Sequence, residues 1–244
     1  MLFQPYEALG PDRPSRWLIT CDHAANTIPP EIGALGIAEA DMNRHIAYDV
    51  GAAGLTRALA DALGAPAILT NFSRLVIDPN RGEDDPTLIM KLYDGTIIPA
   101  NRHVDAIETE RRLAAYHRPY HAALTRIAAR RPDTAICAIH SFTPSLRGRA
   151  PRPWEVGVLY SHLDSGLALT LIARLRAEGF CTGDNEPYSG HLEGDAIDRH
   201  ALQPRRPNVL IEVRNDLIAE APGQALWARH LAPILEETLA RSGL

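Results

Sequence analysis

The chain has 244 residues, of which 45% are hydrophobic and 23% are charged, and these proportions are typical of a globular protein with a substantial buried core. The formal net charge of −5 argues against nucleic acid as the main partner, because phosphate binding favours a basic surface. We therefore expect one folded domain over residues 1–244 that does not act on nucleic acid.

The cysteine pattern and the lack of a long apolar segment predict a cytoplasmic location. Cys21, Cys137 and Cys181 form no CxxC pair and are odd in number, so we expect no disulfide framework. The N-terminal residues lack the basic segment and apolar run of a signal peptide. No apolar stretch approaches the roughly 20 residues that cross a bilayer, so we expect no membrane partner.

Predicted strands and helices alternate along the chain. In chain order the patterns predict a strand at 17–21, a helix at 40–63, strands at 67–71 and 75–77, a helix at 104–129, strands at 134–139 and 155–160, a helix at 166–178, a strand at 208–213 and a helix at 222–240. Pro119 is expected to kink or break the second helix. Apolar strands separated by helices predict an α/β fold with a largely parallel sheet covered on both faces.

The residues best suited to chemistry lie at the ends of predicted strands. His23 follows the first strand by two residues, His140 follows 134–139 directly, and Glu212 lies near the end of 208–213. Because ligands bind at the carboxyl ends of parallel strands, we expect these side chains to share one edge of the sheet. Two imidazoles that meet there suit a zinc ion. The alternatives are a capping residue for His23 and a turn residue for His140.

Three acidic or basic side chains have two interpretations each. His45 and Asp49 are four residues apart on the predicted helix 40–63, so they share one face of that helix. They are candidate metal ligands or, alternatively, an exposed pair. Glu212 in an apolar strand is costly to bury unless it is paired or its pKa is raised. It is therefore a candidate general base, or one half of a buried ion pair with an arginine.

The segment 73–81 (SRLVIDPNR) contains most of the candidate substrate-binding groups. Arg74 and Arg81 suit recognition of a carboxylate, and Asn80 can donate a hydrogen bond beside them. The alternative is a surface loop with exposed salt bridges. The arginine-rich stretch 147–152 predicts a mobile loop near a site.

A later polar segment, 183–190, also looks like a site loop. The residues that follow it, His191, Asp195 and His200, either help to bind substrate or are exposed. The chain has no GxSxG, GxxxxGK[ST] or GxGxxG motif, so neither an α/β-hydrolase serine nucleophile nor a phosphate-binding glycine loop is supported.

Six motifs occur in order between about residue 16 and residue 220: CDHAANTIPP, RHIAYDVGA, SRLVIDPNR, HSFTP, GDNEPYSG and IEVRNDL. Together they resemble the N-formylglutamate amidohydrolase family, specifically its predicted-amidohydrolase branch. The resemblance implies a three-layer α/β/α sandwich with a mixed, mostly parallel sheet, phosphorylase/hydrolase-like and similar to zinc carboxypeptidases and aspartoacylases.

The same resemblance implies a zinc-dependent hydrolase of the C–N amide bond in a small N-acyl amino acid, such as N-formyl-L-glutamate. Alternatives are another N-acyl amino acid or a cell-wall peptide as substrate, or a metal-free binding protein on the same fold. Manganese, cobalt or iron would also suit a site of two histidines and a carboxylate.

The resemblance assigns His23 and His140 as metal ligands. The superfamily pattern H-x-x-E has Asn26 at its fourth position here, and an amide oxygen is a poor zinc ligand. Asp49 is therefore the expected acidic ligand.

The remaining roles concern catalysis and substrate binding. Glu212 is the expected base, and Arg74 or Arg147 the expected group that stabilises the oxyanion. Asn80 and Arg81 are expected to hold the substrate carboxylate. The further expected substrate-binding residues are Arg147 and Arg214.

Overall fold

The computed structural model of the protein describes residues 3–243. The strands are β1 (Tyr6–Leu9), β2 (Trp17–Cys21), β3 (Ala67–Thr70), β4 (Leu92–Tyr93), β5 (Thr96–Ile97), β6 (Ala135–Phe142), β7 (Val156–Leu159), β8 (Thr182–Asp184) and β9 (Asn208–Arg214). The α-helices are α1 (Glu39–Met42), α2 (Ala52–Ala62), α3 (Ala106–Arg112), α4 (Arg118–Ala128), α5 (Gly166–Ala177) and α6 (Ala221–Arg241).

Seven strands form one mixed sheet in the order β1-β3-β2-β6-β9-β7-β8. The four central strands, β3, β2, β6 and β9, are parallel to one another. β1 is antiparallel to β3 at one edge, and β7 is antiparallel to β9 on the other side. The α/β class and the mixed, mostly parallel sheet that the sequence predicts are confirmed.

Helices cover both faces of this sheet. Ile19 of β2 belongs to the apolar cluster that holds Leu55 of α2 and Leu231 of α6. Leu18, the preceding residue, belongs to a second cluster with Leu124 of α4. Successive residues of a strand point to opposite faces, so these two clusters are the two halves of a three-layer α/β/α core. The parallel central strands end at a common edge, which positions the site.

The predicted helix 40–63 is wrong over its middle part. The chain leaves α1 after Met42 and runs through turns until α2 begins at Ala52. Gly51 adopts φ +80° at the start of α2, where a Cβ would meet the carbonyl oxygen of Ile218. His45 and Asp49 therefore do not share a helix face. The Asp49 amide instead donates to the His23 carbonyl oxygen at 2.9 Å, which brings this turn beside the end of β2.

Two other local predictions differ from the structure. The helical stretch 104–129 continues past Pro119 because residues 113–117 form a π-helical turn, which accommodates a proline that cannot donate a backbone hydrogen bond. Segment 75–77 is a buried turn and not a strand. Its carbonyl groups bond to side chains: Asn101 donates to Leu75 and Arg112 to Val76, both at 2.8 Å.

The strands that the sequence did not predict are short. They are β1, β4, β5 and β8. All three cysteines are free. Within residues 3–243 no helix is long and apolar enough to span a membrane.

Candidate active site

A buried cluster of His23, Asp49 and His140 lies where the parallel strands end. Asp49 Oδ2 is 2.9 Å from His140 Nδ1 and 3.4 Å from His23 Nδ1. One potential ligand atom from each of the three residues lies within 4.8 Å of the other two. The two rings are nearly perpendicular, with centroids 5.1 Å apart. The nitrogens closest to Asp49 are thus the Nδ1 atoms of both histidines.

Each of these histidines also faces a carboxylate with its other ring nitrogen. His23 Nε2 donates to Asp78 Oδ1 at 2.7 Å, and His140 Nε2 is 3.6 Å from Asp22 Oδ2. Asp22 is itself held by the Tyr120 hydroxyl, which donates to its Oδ1. A carboxylate behind a histidine fixes the ring orientation and is common behind metal-binding histidines.

The donor set fits a divalent metal ion. Two imidazole nitrogens and one carboxylate oxygen converge, and the two outer carboxylates support the imidazoles from behind. Burial by itself raises the pKa of Asp49, but the two histidines more than offset this and hold that pKa well below its usual range. His23, Asp49 and His140 are therefore the residues that could hold a metal here.

Glu212 lies opposite His140, in register on the neighbouring strand β9. Its side chain is buried, and its Oε2 has no hydrogen-bond partner among residues 3–243. No basic side chain in that range forms an ion pair with it, so the buried ion pair expected as the alternative does not form in the structure. Burial raises the pKa of Glu212 to about 7, which suits a general base near neutral pH.

Arg74 is buried beside the cluster. Its guanidinium donates twice to Asp78 Oδ2, at 2.7 and 3.1 Å, and its Nη1 is 3.6 Å from Asp49 Oδ1. The charge of Arg74, together with His23, more than offsets the effect of burial and lowers the pKa of Asp78. The alternative interpretation of segment 73–81, a surface loop with exposed salt bridges, is therefore wrong for Arg74.

Asn80 and Arg81 follow Asp78 on the same turn. The Asn80 amide donates to Asp78 Oδ1, and the Asn80 side-chain oxygen accepts from the Ala196 amide at 3.2 Å. The Arg81 guanidinium donates to the Thr87 hydroxyl and to the Asn80 carbonyl. Both residues line the same cavity as the His and Asp cluster.

Buried histidines hold this turn from behind. His121 Nε2 donates to the Pro79 carbonyl and His117 Nε2 to the Arg81 carbonyl, both at 3.0 Å. Since the Nδ1 of neutral His121 is then an acceptor, His200 Nε2 is the donor in the 2.8 Å bond between these two rings. Burial lowers the pKa of all three histidines, to about 3 for His200, and keeps them neutral.

The cavity has a volume of about 350 Å³, within the usual range of small-molecule sites. It is lined by His23, His45, Asp49, Arg74, Asn80, Arg81, Tyr93, His140, Ser141, Phe142, Thr143, Leu159, Tyr188, Ser189, Gly190, His191, Leu192, Asp195, Leu210 and Glu212. Of the nine residues with an expected role as ligand, catalytic group or substrate-binding group, the cavity thus brings together seven: His23, Asp49, Arg74, Asn80, Arg81, His140 and Glu212.

Two predicted substrate-binding arginines lie elsewhere. Arg147 is exposed on the loop after β6, and Arg214 binds Asp216 at the end of β9; neither lines the cavity. Asn26 likewise lies outside the cavity and donates to the Met42 carbonyl at 2.9 Å. Asp49, not Asn26, is the third group beside the two histidines.

Of the three candidate residues after the 183–190 loop, two line the cavity and the third lies behind its wall. Asp195 is buried and lines the cavity, and burial raises its pKa to about 7. His191 is exposed but lines the cavity, where its Nδ1 bonds to the Ser161 hydroxyl at 2.8 Å. His200 is buried behind the cavity wall. The exposed interpretation is wrong for Asp195 and His200.

Sequence reasoning gave no role to Asp22, Asp78 and Tyr188. Asp22 directly precedes the predicted ligand His23, and Asp78 lies two residues before the predicted substrate-binding Asn80; these positions were the available signal. Tyr188 lines the cavity from the predicted site loop.

A mostly parallel α/β/α sandwich, with a buried cluster of ionisable groups in a cavity at the strand ends, is the organisation of an α/β enzyme that acts on small molecules. The sequence profile of the N-formylglutamate amidohydrolase family matches residues 15–219. The chain belongs to this family and is an amidohydrolase.

Three individual proteins are similar to this chain in sequence or in fold. An N-formylglutamate deformylase of Pseudomonas aeruginosa is 27% identical over 210 residues, which cover 78% of this chain and 76% of that protein. The crystal structure of a gene product from Agrobacterium tumefaciens has a TM-score of 0.94 at 31% identity and covers 99% and 97% of the two chains. An N-formylglutamate amidohydrolase from Ralstonia eutropha shares the fold, with a TM-score of 0.76 at 24% identity and coverage of 98% and 99%.

Proposed function

We propose that this amidohydrolase is metal-dependent, with zinc as the expected ion, and that it hydrolyses N-formyl-L-glutamate to formate and glutamate. The single observation that carries the metal dependence is the convergence of His23, Asp49 and His140, each with one possible ligand atom within 4.8 Å of those of the other two. The matched family and the deformylase relative support the substrate.

His23, Asp49 and His140 hold the metal in this proposal. A zinc ion bound there supplies Lewis-acid chemistry, because it acidifies water and polarises a carbonyl group. The hydrogen bond to Asp78 fixes the orientation of the His23 ring, and Asp22 lies 3.6 Å behind the ring of His140.

Glu212 acts as the base. Its carboxylate removes a proton from the attacking water, whose oxygen forms the new bond to the formyl carbon. When the C–N bond breaks, Glu212 returns the proton to the leaving nitrogen, so that the products are the amino group of glutamate and formic acid, which passes its remaining acidic proton to that amino group or to solvent and leaves as formate. The pKa of Glu212, raised by burial to about 7, suits both steps near neutral pH.

Arg74 and the Asn80–Arg81 pair position the substrate. Arg74 lines the cavity beside Asp49 and offsets negative charge that develops on the formyl oxygen. Arg81 has no carboxylate partner within residues 3–243 and binds the α-carboxylate together with the Asn80 side chain.

The test is formate release from N-formyl-L-glutamate by the purified protein, loaded with zinc, then stripped by a chelator and reloaded. We expect turnover that disappears on chelation and returns with zinc. N-acetylglutamate and a muramoyl-peptide amide belong in the same panel. Activity on only one of these two compounds would make it the substrate in place of N-formyl-L-glutamate. Turnover that resists the chelator would exclude the proposed metal dependence.

A further inference from the structure

The charges around the cavity leave two arginines without an acidic partner. Of the arginines that line it, Arg74 is committed to Asp78 and Asp49. Arg81 bonds to a hydroxyl and a carbonyl, and within the described part of the chain no carboxylate pairs with it. The second such arginine is Arg152, on the loop after β6, which does not itself line the cavity but lies against two residues that do, Phe142 and Tyr188.

Arg152 is held in place by aromatic rings. Its guanidinium carbon lies 4.9 Å from the ring centroid of Tyr188 and 5.7 Å from that of Phe142, and both rings line the cavity. One N–H group donates to the Thr143 carbonyl at 3.0 Å. Over residues 3–243 the structure contains no ion pair for this side chain. Stacking on two rings fixes the guanidinium without neutralising it.

The charge of Arg152 acts on groups inside the cavity. Burial is the main cause of the lowered pKa of His45, and the positive charge of Arg152 adds to it. Burial and Glu212 raise the pKa of Tyr188, while Arg152 opposes them. The ring contacts place the Arg152 guanidinium against the part of the cavity wall that Phe142 and Tyr188 form.

An anionic substrate side chain needs a cation in this region. Glu212 and Asp49 are both buried on the cavity wall, and a substrate carboxylate that approached them unpaired would be repelled. Arg74 is already assigned to the formyl oxygen, and its guanidinium also donates to Asp78, so a second cation is needed for the side-chain carboxylate. The half-buried Arg152, held by the Thr143 carbonyl and the Tyr188 ring, supplies a positive charge that no acidic side chain of residues 3–243 pairs with.

We propose that Arg152 binds the side-chain carboxylate of an N-acyl dicarboxylic amino acid, while Arg81 and Asn80 bind the α-carboxylate. This inference rests on the proposed function, since it assigns the two ends of one substrate. Arg152 is then a specificity-determining residue, and the loop 143–153 supplies the selectivity for an acidic side chain.

The test compares N-formyl-L-glutamate with its neutral isostere N-formyl-L-glutamine. We expect R152M to lower kcat/KM for the glutamate substrate by about 10- to 100-fold and to change the glutamine value less than about threefold, because only a charged partner is lost. R152K is expected to recover part of the activity on the glutamate substrate. R149M, which removes an exposed arginine of the same loop, is the matched control and is expected to behave as wild type.

Two further outcomes separate this inference from the proposed function. Equal losses by R152M on both substrates would make Arg152 a structural clamp and overturn the inference, while the proposed function stands. Calorimetric binding of L-glutamate and L-glutamine to the zinc-loaded protein gives a readout without turnover. If wild type hydrolyses neither amide, the proposed function fails. In that case a preference for L-glutamate that depends on Arg152 would still support the carboxylate-binding role of Arg152. Equal binding of the two amino acids would reject that role.

Discussion

His140 and Glu212 lie directly opposite each other on the adjacent parallel strands β6 and β9. Residues in register on neighbouring strands project from the same face, so one imidazole and one carboxylate are brought together by the sheet itself. The proposed metal ligand and the proposed base are therefore positioned by rigid backbone and not by a mobile loop.

The first prediction separates these two roles. Glu212→Gln keeps the shape of the side chain but cannot accept the water proton, so we expect zinc to remain bound while kcat falls by about 10²- to 10⁴-fold. Steady-state kinetics and metal analysis of the same preparation check this. Glu236→Gln, an exposed change on α6, is the control. Near-normal turnover by Glu212→Gln would reject Glu212 as the base.

Asp78 is predicted to tune metal affinity without touching the ion. It accepts from His23 Nε2, from Arg74 and from the Asn80 amide. Asp78→Asn weakens the first two bonds, and we expect zinc affinity to fall about 10- to 100-fold, as for other residues behind metal ligands. Competition with a chelating dye measures the affinity. Asp84→Asn, exposed on the same loop, is the control, and an unchanged affinity in Asp78→Asn would contradict the orienting role.

His121 is predicted to act as a positioning residue for the turn that carries Asn80. His121→Leu leaves the buried Pro79 carbonyl without its donor, at a cost of about 1 to 3 kcal/mol. We expect KM to rise about tenfold and kcat to change less, because substrate binding depends on this turn while the base lies on β9. His121→Gln, which can still donate, is expected to recover most of the change. A loss of thermal stability with unaltered KM would leave His121 a purely structural residue.

Asp195 gives a prediction for stability against pH. Burial raises its folded pKa to about 7 from an ordinary value of 3.8. The folded state therefore retains a proton that the unfolded state loses, and the free energy of unfolding decreases as the pH rises from about 4 to about 7. We expect Asp195→Asn to remove the Asp195 part of this decrease and to leave the part that Glu212 contributes. Relative to wild type, the free energy of unfolding of the variant should therefore rise by about 2 to 4 kcal/mol between pH 4 and pH 8.

Denaturant unfolding at several pH values measures this difference. The matched change Asp12→Asn removes an exposed carboxylate and is expected to leave the pH dependence as in wild type. Parallel curves for wild type and Asp195→Asn would show that Asp195 is not protonated in the folded state at neutral pH.

The sheet and the ends of its central strands could be predicted from sequence because those strands are apolar throughout and have helices between them. That pattern placed His23, His140 and Glu212 on one edge. Asp49 was predicted as the acidic ligand because the amide of Asn26 makes a poor one. The helix on which the prediction placed Asp49 does not form at that position. Apolar spacing cannot reveal that the Asp49 amide bonds to His23, because that bond joins segments 26 residues apart.

The supporting residues were beyond sequence reasoning for a related reason. Asp22 and Asp78 acquire their roles from the atoms they face, and the sequence does not show in which direction either side chain points. Arg147 and Arg152 look alike in the sequence, yet only Arg152 meets the aromatic rings of the cavity. Which arginine of a loop turns inward depends on tertiary contacts.

The most direct test is the zinc content of the purified protein, measured by elemental analysis after reconstitution and removal of free metal, for wild type and for Asp49→Ala. Wild type is predicted to retain one zinc per chain, and Asp49→Ala to lose most of it. A wild-type chain that retains no zinc would contradict the metal centre, and full retention by Asp49→Ala would remove Asp49 from it.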